Sequence, residues 1–478
     1  MNASSVKTVT AQVLVVGGGP GGYVAAIRAG QLGLDTVLIE ADRLGGTCLI
    51  RGCIPSKALI HVAARFEAMQ KSVGDGHLGI ALDTPPRLDL ATAMRWKDGI
   101  VDRLSGGVAA LLRKAKVRVL RGWAVFSDAK TCTVQSSEGP LTVKAEHVIL
   151  ATGSEPVPLP TLPFGGPVLS STEALSLERL PRRLVVVGGG YIGLELGSAF
   201  ARMGSAVTVV EAQPRILPLY DAALTDPVRR WLERSGVTVH LGARALGMET
   251  EGESHALVVQ TADGGMSRLP ANAVLSTVGR RPRLEGWGFE AMGVDRQGAF
   301  VAVDDQCRTS MRNVWAIGDL VGEPMLAHKA SAQGEMVAEI IAGHCRRFAP
   351  TAIPAVCFTE PEIVSVGLSP DEAMAQGIDA IFDQFPFAAN GRALTLDAGR
   401  MDAGGSGFVR LVARRDNRRV IGIQAVGAHI SELSGEFALA LEMGAELEDV
   451  AGTIHAHPTL GEVFHEIALR LLGRPLHL

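Results

Sequence analysis

Residues 13–41, VLVVGGGPGGYVAAIRAGQLGLDTVLIEA, decide the fold. They contain a short apolar strand, a glycine-rich turn, a helix rich in small residues, and a second apolar strand that ends in Glu40. This pattern predicts a dinucleotide-binding unit, in which Gly17 makes the turn, Gly19 lets the backbone approach a pyrophosphate and Gly22 lets the helix pack on the strand. The start of the helix offers unpaired N–H groups to the phosphates, and the glutamate accepts hydrogen bonds from ribose hydroxyls.

A second copy of the pattern occurs at a constant offset of 171 residues, in residues 184–212, LVVVGGGYIGLELGSAFARMGSAVTVVEA. Without any gap, the three glycines and the terminal glutamate fall on Gly188, Gly190, Gly193 and Glu211. Two complete copies favour two bound dinucleotides over a plain strand-turn-helix arrangement. A carboxylate at position 211 suits the free 2′-hydroxyl of NAD and repels the 2′-phosphate of NADP. The nearby Arg215 leaves NADP open as the alternative.

The totals argue against several classes of protein. A chain of 478 residues predicts three or four domains at roughly 100 to 200 residues each. The net charge of −4 and the lack of a Lys/Arg-rich tract argue against a nucleic-acid partner. No apolar run reaches the ~18 to 20 residues of a membrane span, and the first residues resemble neither a secretion signal nor a transit peptide. We therefore expect a cytoplasmic protein that acts on a small molecule.

Two of the six cysteines lie close together in residues 45–59, GGTCLIRGCIPSKAL. The other four are single residues among apolar neighbours: Cys132, Cys307, Cys345 and Cys357. In a regular helix the axial rise from Cys48 to Cys53 is already ~7.5 Å, beyond the ~7 Å limit between the α-carbons of a disulfide. Gly52 gives the backbone freedom to depart from a helix, and Pro55 predicts that the regular helix starts near residue 55. The segment between the two cysteines is therefore not predicted to be regular helix, and a disulfide between them is possible.

The charges around the two cysteines favour redox chemistry. Arg51 and Lys57 favour a thiolate, and a strained dithiol at the start of a helix is a setting for a lowered pKa and an exchangeable bond. Two ordinary thiols and half of a zinc site remain as alternatives, although no second Cys/His pair at ligand spacing completes a zinc site. A thiolate passes no hydride directly to a nicotinamide, so we expect a flavin between them, with FAD in one repeat.

A histidine and a glutamate stand close together in residues 452–472, GTIHAHPTLGEVFHEIALRLL. His457 precedes a proline and is biased toward extended backbone, and Thr459 is predicted to cap a helix that carries Glu462. The carboxylate would then hold one imidazole nitrogen and leave the other to take a proton from a thiol. Taken alone, such a pair is more often structural than catalytic. We assign no role to the other histidines of this stretch.

The assembled motifs resemble the dihydrolipoamide dehydrogenase family of flavin-dependent disulfide oxidoreductases over essentially the whole chain, and most of all the form that serves branched-chain 2-oxo acid dehydrogenase complexes. The resemblance rests on GGGPGGYVAAIRAGQLG, GCIPSKAL, ATGS, VVVGGGYIGLELG, VGRRP, NVWAIGD, MLAHKASAQGEMVAE and HAHPTLGE. It implies an α/β fold with two Rossmann-like domains, a central domain and a C-terminal α+β interface domain. The implied ranges are 1–153 for FAD binding, 154–280 for NAD binding, 281–350 for a central domain completing the FAD site, and 351–478 for the dimer interface.

The resemblance also implies roles for single residues. Cys48 is expected to be the interchange thiol that meets lipoamide, and Cys53 the charge-transfer thiol against the flavin. Lys57 and Glu195 are expected to pair near the reactive nitrogen of the flavin, and Tyr191 to lie near the nicotinamide. The expected FAD-binding residues are Gly17, Gly19, Gly22, Glu40, Lys57, Gly153, Asp319 and Ala327. The expected NAD-binding residues are Gly188, Gly190, Gly193, Glu211 and Gly279.

The implied reaction is the oxidation of dihydrolipoamide, carried on the lipoyl domain of an acyltransferase core, with NAD as the acceptor. His457 and Glu462 would be the acid-base pair, supplied across a homodimer interface to the cysteines of the other subunit. No metal, nucleic acid or membrane is expected. The chain departs from the family at Ile50 and Arg51, where Asn followed by Val or Ile is usual, and at Gly461, where Ser is common. We hypothesise that the arginine shifts the reduction potential or the thiolate fraction of the dithiol.

Two other functions remain open on the sequence alone. A related reductase would act on glutathione or a similar disulfide with NADPH. A docking subunit without catalysis would use the acidic residues of the stretch 431–470 to bind a basic partner. The carboxylate at position 211 argues against NADPH, and the intact pair of cysteines argues against docking alone.

Overall fold

The computed structural model describes residues 7–252, 254–397 and 407–477 of the chain. Its strands form three large sheets and three small ones. Five clusters of buried apolar side chains fill the space between the sheets and their helices. None of the helices in the described ranges is long and apolar enough to cross a membrane. The three large sheets succeed one another along the chain and define three units.

The first large sheet is built on the first glycine repeat. In chain order its elements are β1 (Lys7–Val16), α1 (Pro20–Gln31), β2 (Thr36–Glu40), α2 (Gly46–Arg51), α3 (Cys53–Lys71), α4 (Leu90–Lys114), β3 (Arg118–Arg121), β4 (Trp123–Phe126), β5 (Thr131–Ser136) and β6 (Gly139–Leu150). Strands β3, β2, β1 and β6 lie side by side and parallel, and β5 and β4 continue the sheet in antiparallel pairs. The core half of β1 is buried, as expected of a parallel strand covered on both faces.

The second large sheet repeats this arrangement. Its unit contains β7 (Ser154–Pro156), β8 (Val168–Leu169), α5 (Ser171–Ala174), β9 (Arg183–Val187), α6 (Tyr191–Met203), β10 (Ala206–Glu211), α7 (Ala222–Arg234), β11 (Thr238–Leu241), β12 (Arg244–Glu251), β13 (Ser254–Gln260), β14 (Met266–Ala271) and β15 (Ala273–Ser276). The strand order β11-β10-β9-β15-β8 is parallel throughout. Strands β9 and β10 hold the places that β1 and β2 hold in the first sheet. Strands β12, β13 and β14 form a small antiparallel sheet.

The chain then returns to the first sheet. The returning elements are β16 (Arg280–Pro282), β17 (Arg296–Gln297), β18 (Phe300–Val301), β19 (Val314–Ala316) and α8 (Ala327–Ile341). Strand β16 pairs with β7, β19 adds a parallel strand beside β6, and α8 packs on α1. The segment 281–350, for which we predict a central domain, therefore shares a sheet with the first unit. The four domain boundaries stay a prediction.

The last unit is α+β. Its elements are β20 (Ala355–Cys357), β21 (Glu362–Gly367), α9 (Pro370–Ala375), β22 (Ala380–Pro386), α10 (Gly391–Thr395), β23 (Phe408–Arg414), β24 (Val420–Gly427), α11 (Ser434–Glu442), α12 (Leu447–Gly452) and α13 (Glu462–Leu471). The strands form an antiparallel sheet in the order β20-β21-β24-β23-β22, and α11 and α13 pack their apolar residues on it. The predicted fold class, two Rossmann-like units and then a C-terminal α+β unit, is confirmed.

Candidate active site

The two glycine repeats fold alike down to single hydrogen bonds. Each glutamate at the end of the second strand turns back to the glycine-rich turn. Glu40 Oε2 accepts from the N–H of Gly18 at 2.6 Å, and Glu211 Oε2 accepts from that of Gly189 at 2.6 Å. The other oxygen of each carboxylate accepts from the N–H two residues later, at 2.8 Å and 2.7 Å. Both carboxylates are thereby fixed beside their turn, and each keeps lone pairs for the hydroxyls of a ribose.

At the first and the last of the three predicted glycines of each turn, a side chain does not fit. Gly17 and Gly188 have positive φ angles of 101° and 104°. A Cβ atom on Gly22 or Gly193 would overlap the carbonyl oxygen of the first glycine of its own turn. The next helices in the chain, α1 and α6, begin without a side-chain cap. Their first N–H groups are therefore available to an anion such as a diphosphate.

A cavity of about 490 Å³ opens at the first repeat, a volume typical of small-molecule sites. It lies between the first glycine turn, α2, α3 and the start of α6. Among the residues with a predicted role, it is lined by Gly17, Gly19, Glu40, Cys48, Cys53, Lys57, Gly153, Tyr191, Glu195, Asp319 and Ala327. The structure thus brings the dithiol together with all the predicted FAD-binding residues except the buried Gly22.

A break in the backbone at Gly52 separates the two cysteines. Cys48 lies in α2, Cys53 is the first residue of α3, and the glycine between them has φ −140° and ψ −112°. A Cβ atom on this glycine would lie 2.8 Å from the carbonyl oxygen of Thr47, so the break requires a glycine. Our prediction that the helix starts near residue 55 is wrong by two residues. Pro55 fits inside the first turn, where its missing N–H breaks no helical hydrogen bond.

The two thiols differ in acidity although they are neighbours. They are not bridged in this structure, and a hydrogen bond joins them. That bond from Cys48 lowers the pKa of Cys53 to about 7 against the opposing effect of burial, and the charge of Lys57 lowers it further. The same bond, together with burial, raises the pKa of Cys48. Cys53 is therefore the thiolate of the pair and Cys48 the hydrogen-bond donor.

An ion pair lies beside the dithiol. Lys57 Nζ is 2.7 Å from Oε2 of the buried Glu195 and stands 4.4 Å from the centre of the Phe358 ring. Glu195 Oε1 accepts from the N–H of Phe358 at 2.9 Å, so all three units meet at this pair. Burial acts to lower the pKa of Lys57, but the charge and hydrogen bond of Glu195 outweigh burial and raise it. The lysine therefore keeps its positive charge next to Cys53.

A second polar network lines the cavity, and sequence reasoning assigned a role to only one of its members. Ser154 Oγ donates to Asp319 Oδ2. Arg280 donates from Nε to Ser154 Oγ at 2.8 Å and from Nη2 to the Ser154 carbonyl oxygen at 2.9 Å. Ser154 and Arg280 belong to the ATGS and VGRRP stretches quoted for the resemblance, so a signal for both was present. The network fixes a guanidinium and a carboxylate at the same cavity.

The second repeat touches this cavity only through the start of α6. The predicted NAD-binding residues do not line it: Gly188, Gly190, Gly193, Glu211 and Gly279. Tyr191 and Glu195 of α6 do line it. Burial raises the pKa of Tyr191 to about 12, so its hydroxyl stays protonated at neutral pH. The glycine turn of the second repeat thus lies outside the cavity of the first, and the start of α6 links the second repeat to that cavity.

His457 and Glu462 form the predicted contact. His457 Nδ1 is 2.9 Å from Glu462 Oε1, and the N–H of Thr459 donates to Glu462 Oε2 at 2.7 Å. Burial acts to raise the pKa of Glu462, but these two hydrogen bonds outweigh it and lower the pKa. Our prediction that Thr459 caps the helix is wrong, because its hydroxyl donates to the carbonyl oxygen of Ala456 and α13 begins after Gly461.

The histidine pair stands apart from the cysteines within one chain. The His457 side chain is 81% exposed, and neither partner of the pair lines the cavity of the dithiol. Another histidine, His455, is held by Oε1 of Glu436, 2.9 Å from its Nε2, and by the carbonyl oxygen of Thr453, 3.0 Å from its Nδ1. The hydrogen bond to Glu436 raises the pKa of His455. Sequence reasoning missed this contact because nothing local marks a partner 19 residues away.

The residues of the cavity fit FAD. The uncapped start of α1 suits a diphosphate, the Glu40 carboxylate suits a ribose, and the dithiol suits the redox-active end of a flavin. Within the described ranges, no group of three or more His, Cys, Asp or Glu side chains is arranged to hold a metal ion. The cavity therefore combines the chemistry of thiol-disulfide exchange with that of dinucleotide binding.

Comparison with known proteins identifies the family. Residues 11–334 match the family described as pyridine nucleotide-disulphide oxidoreductase, and residues 353–468 match its dimerisation domain. The chain is 59% identical to a dihydrolipoyl dehydrogenase of Pseudomonas aeruginosa over 98% of both chains, and 45% identical to one of Geobacillus stearothermophilus over 98% of this chain and 97% of that one. The crystal structure of LpdA from Mycobacterium tuberculosis matches with a TM-score of 0.86 at 27% identity, over 98% of this chain and 100% of that one. The chain therefore belongs to the pyridine nucleotide-disulphide oxidoreductase family, enzymes that use FAD and NAD(H).

Proposed function

We propose that the protein oxidises dihydrolipoamide to lipoamide with NAD as the electron acceptor. One observation carries the proposal: two cysteines of unequal acidity line one cavity together with the glycine turn and the Lys57–Glu195 pair. The relatives named dihydrolipoyl dehydrogenase support this substrate over another disulfide. FAD in the first repeat and NAD in the second complete the path of the electrons.

The substrate reacts at Cys48 in this proposal. The oxidised enzyme holds a Cys48–Cys53 disulfide, and a substrate thiolate attacks the Cys48 sulfur while Cys53 leaves as a thiolate. The second substrate thiol then attacks the substrate sulfur of this mixed disulfide, which forms lipoamide and returns Cys48 as a thiol. The substrate has lost two electrons and two protons, and both electrons are on the cysteine pair. The lowered pKa of Cys53 makes it the better leaving thiolate of the two in this exchange.

The first repeat is the proposed FAD site. The residues assigned to it are Gly17, Gly19, Gly22, Glu40, Lys57, Gly153, Asp319 and Ala327. When bound there, FAD would supply the two-electron chemistry that links the dithiol to NAD, and the proton left over from the oxidation would go to solvent. Lys57 stabilises the Cys53 thiolate through its charge, and Glu195 holds the lysine in place from α6. Glu40 binds the ribose, and Asp319, oriented by Ser154, binds the ribitol.

The second repeat is the proposed NAD site. The residues assigned to it are Gly188, Gly190, Gly193, Glu211 and Gly279, with Tyr191 between this site and the FAD cavity. The Glu211 carboxylate suits the free 2′-hydroxyl of NAD. Arg215 was the reason to keep NADP as an alternative. Its guanidinium donates to the carbonyl oxygens of Tyr220 and Pro218 at 2.5 Å and 2.6 Å, so it is already engaged by the backbone. This engagement supports NAD over NADP.

His457 is the proposed acid-base residue. Its Nδ1 faces the Glu462 carboxylate, which only accepts hydrogen bonds, so Nδ1 carries the proton and Nε2 is the basic nitrogen. Nε2 takes a proton from dihydrolipoamide, which produces the thiolate that attacks Cys48. Glu462 keeps its charge at neutral pH and so stabilises the imidazolium that results.

A homodimer would bring this pair to the cysteines. The match to a dimerisation domain covers residues 353–468, which include the pair. In the stretch 434–457, which ends at His457, three large apolar side chains are exposed in the single chain: Leu439 by 61%, Met443 by 76% and Ile454 by 96%. Exposed apolar side chains near a polar site are typical of an interaction surface. We propose that a second copy covers them and that His457 of each copy serves the cysteines of the other.

The proposed physiological substrate is dihydrolipoamide on the lipoyl domain of an acyltransferase core, in a 2-oxo acid dehydrogenase complex. The motifs favour the branched-chain type. We further propose a cytoplasmic location, because 6 cysteines in 478 residues are too few for the disulfide framework of an exported protein.

Steady-state assays separate the candidate functions. We expect dihydrolipoamide to reduce NAD with a kcat/KM at least about a hundredfold above that for NADP, since position 211 discriminates by charge. Reduction of glutathione disulfide by NADPH should stay at background. A protein that reduces glutathione disulfide with NADPH and leaves dihydrolipoamide unchanged would overturn the proposal, and one that does neither would support docking alone.

A further inference from the structure

Arg51 is a cation at the cofactor cavity that the proposed reaction does not use. Helix α2, which carries it, lies directly on the first glycine turn. The N–H of Gly45 donates to the carbonyl oxygen of Gly18 at 2.8 Å, and a Cβ atom on Gly46 would lie 2.5 Å from the α-carbon of Gly19. Beside the backbone of Gly46, three side chains of α2 line the cavity: those of Thr47, Cys48 and Arg51. Their spacing places them on one face of the helix.

The Arg51 guanidinium turns toward the ribose end of the cavity. Its Nη2 forms an ion pair with Asp42, which lies two residues after Glu40 and also lines the cavity. The N–H of Asp42 donates to Glu40 Oε1 at 2.8 Å, so the three charged side chains form one group. The partner of the arginine is a carboxylate beside Glu40 and not a thiol. The hypothesis that Arg51 shifts the reduction potential or the thiolate fraction of the dithiol therefore stays a prediction. The ion pair with Asp42 favours a contact with the cofactor instead.

We propose that Arg51 binds the diphosphate of FAD and that Asp42 holds the guanidinium in position. A diphosphate bound at the uncapped start of α1, with its ribose on Glu40, would pass along α2. Helical side chains lean toward the N-terminus of their helix, so the stem of Arg51 leans over Thr47 toward the turn. A guanidinium has five N–H donors in a fork that matches phosphate oxygens, and Asp42 leaves several of them available.

The N–H groups at the start of the helix are available to a diphosphate in every dinucleotide repeat. In the first repeat, Arg51 would give the diphosphate a charged contact in addition to the N–H groups of α1. The second repeat has no counterpart, because the cation after Glu211, Arg215, donates to backbone carbonyl oxygens. The inference rests on the assignment of FAD to the first repeat in the proposed function. It does not depend on which disulfide or dithiol the enzyme uses, so a failed dihydrolipoamide assay would leave it standing.

The rate of FAD release from the purified holoprotein tests this contact. Release is monitored as the rise of free-flavin fluorescence after dilution, at several salt concentrations. We expect Arg51→Val to release FAD about ten- to a hundredfold faster, the usual effect of losing a charged hydrogen bond. The variant should also lose most of the salt dependence of the wild-type rate, since the contact is electrostatic. Arg103→Val, an exposed arginine of α4 outside the cavity, is the matched control and should release FAD at the wild-type rate.

Asp42→Asn distinguishes a phosphate contact from a purely structural ion pair. If Arg51 binds the diphosphate, the Asn oxygen at position 42 still accepts a hydrogen bond from the guanidinium and holds it in place, and release should stay within about threefold of wild type. Equal acceleration in Asp42→Asn and Arg51→Val, with the salt dependence retained, would overturn the proposal, and so would an unchanged rate in Arg51→Val. If Arg51→Val does not fold, Arg51→Gln keeps the aliphatic stem without the charge. The proposal is then tested by the FAD release rate of Arg51→Gln, with the same expected and contradicting results.

Discussion

The two glycine repeats share a skeleton and differ in the segment after their second strand. Strand, turn, helix and terminal glutamate occupy equivalent places, and the two hydrogen bonds of each carboxylate match. After Glu40 the chain enters α2 and α3, which bring the dithiol to the turn. After Glu211 it enters a loop in which Arg215 binds backbone carbonyl oxygens. The repeat establishes that a dinucleotide binds, and the segment after its second strand decides which chemistry the dinucleotide meets.

Removing the dithiol is the strongest way to break the comparison, because it reduces the first repeat to a binding unit like the second. We expect Cys53→Ser to lower the turnover of dihydrolipoamide with NAD by at least about a thousandfold, since the leaving thiolate is lost. FAD content and NADH binding should be retained. Cys345→Ser, at an exposed cysteine outside the cavity, is the matched control. Turnover above a tenth of wild type in Cys53→Ser would contradict the role of the dithiol.

The acid-base pair should affect the chemistry of the first repeat and not that of the second. His457→Ala is expected to lower the dihydrolipoamide reaction by about a hundred- to ten-thousandfold, the usual contribution of a general base. Oxidation of NADH by an artificial acceptor should be spared, because it does not need a substrate thiolate. His477→Ala removes another exposed histidine paired with a glutamate and serves as the control. Equal losses in both assays would count against the assignment of His457.

Equivalent glycines should separate the two cofactors. Gly17→Ala places a methyl group against a backbone carbonyl at φ 101°, and Gly188→Ala does the same at φ 104°. We expect about tenfold weaker FAD retention from the first and an about tenfold higher KM for NAD from the second. The controls are Gly33→Ala and Gly204→Ala, which also have positive φ but no neighbour within 4 Å of a new Cβ atom. Loss of FAD from the Gly188 variant would contradict the proposed assignment of FAD to the first repeat and NAD to the second.

The smallest expected effect is a pH titration within the first repeat. Cys53 has a pKa of about 7 against an ordinary value of 9.0, so its thiolate is present above pH 7 and is lost as the pH falls through 7. In the reduced enzyme, the long-wavelength absorbance of a thiolate beside FAD should halve near pH 7 and fall to about a tenth at pH 6. Lys57→Met should move this midpoint upward, since the lysine charge favours the thiolate. An unmoved midpoint would exclude the lysine as a cause of the shift.

The fold could be predicted because its signals are local and repeated. Both glycine turns, both terminal glutamates and the small residues of both helices are readable in the chain, and the offset of 171 residues aligns them without a gap. The departure from helix between the two cysteines was also predictable from local residues, a glycine and a proline. The errors were local as well. The helix starts at Cys53 because a proline is tolerated in a first turn, and Thr459 directs its hydroxyl to Ala456 instead of capping α13.

The polar contacts of the site could not be predicted, because they join residues far apart in the chain. Arg280 reaches Ser154 across 126 residues, and the backbone at Phe358 reaches Glu195 across 163 residues. Such contacts depend on how the three units pack, which no local pattern reports. The same is true of Arg51, which sequence reasoning placed beside the dithiol and the structure pairs with Asp42.

Anaerobic mixing of the purified yellow protein with dihydrolipoamide, and then with NAD or NADP, tests the central claim most directly. Flavin absorbance and nicotinamide reduction are recorded together. The account predicts a long-wavelength band from the Cys53 thiolate beside FAD, and after it NADH and little NADPH. Flavin that stays oxidised with dihydrolipoamide but is reduced by NADPH would contradict it and assign the dithiol to a different disulfide substrate.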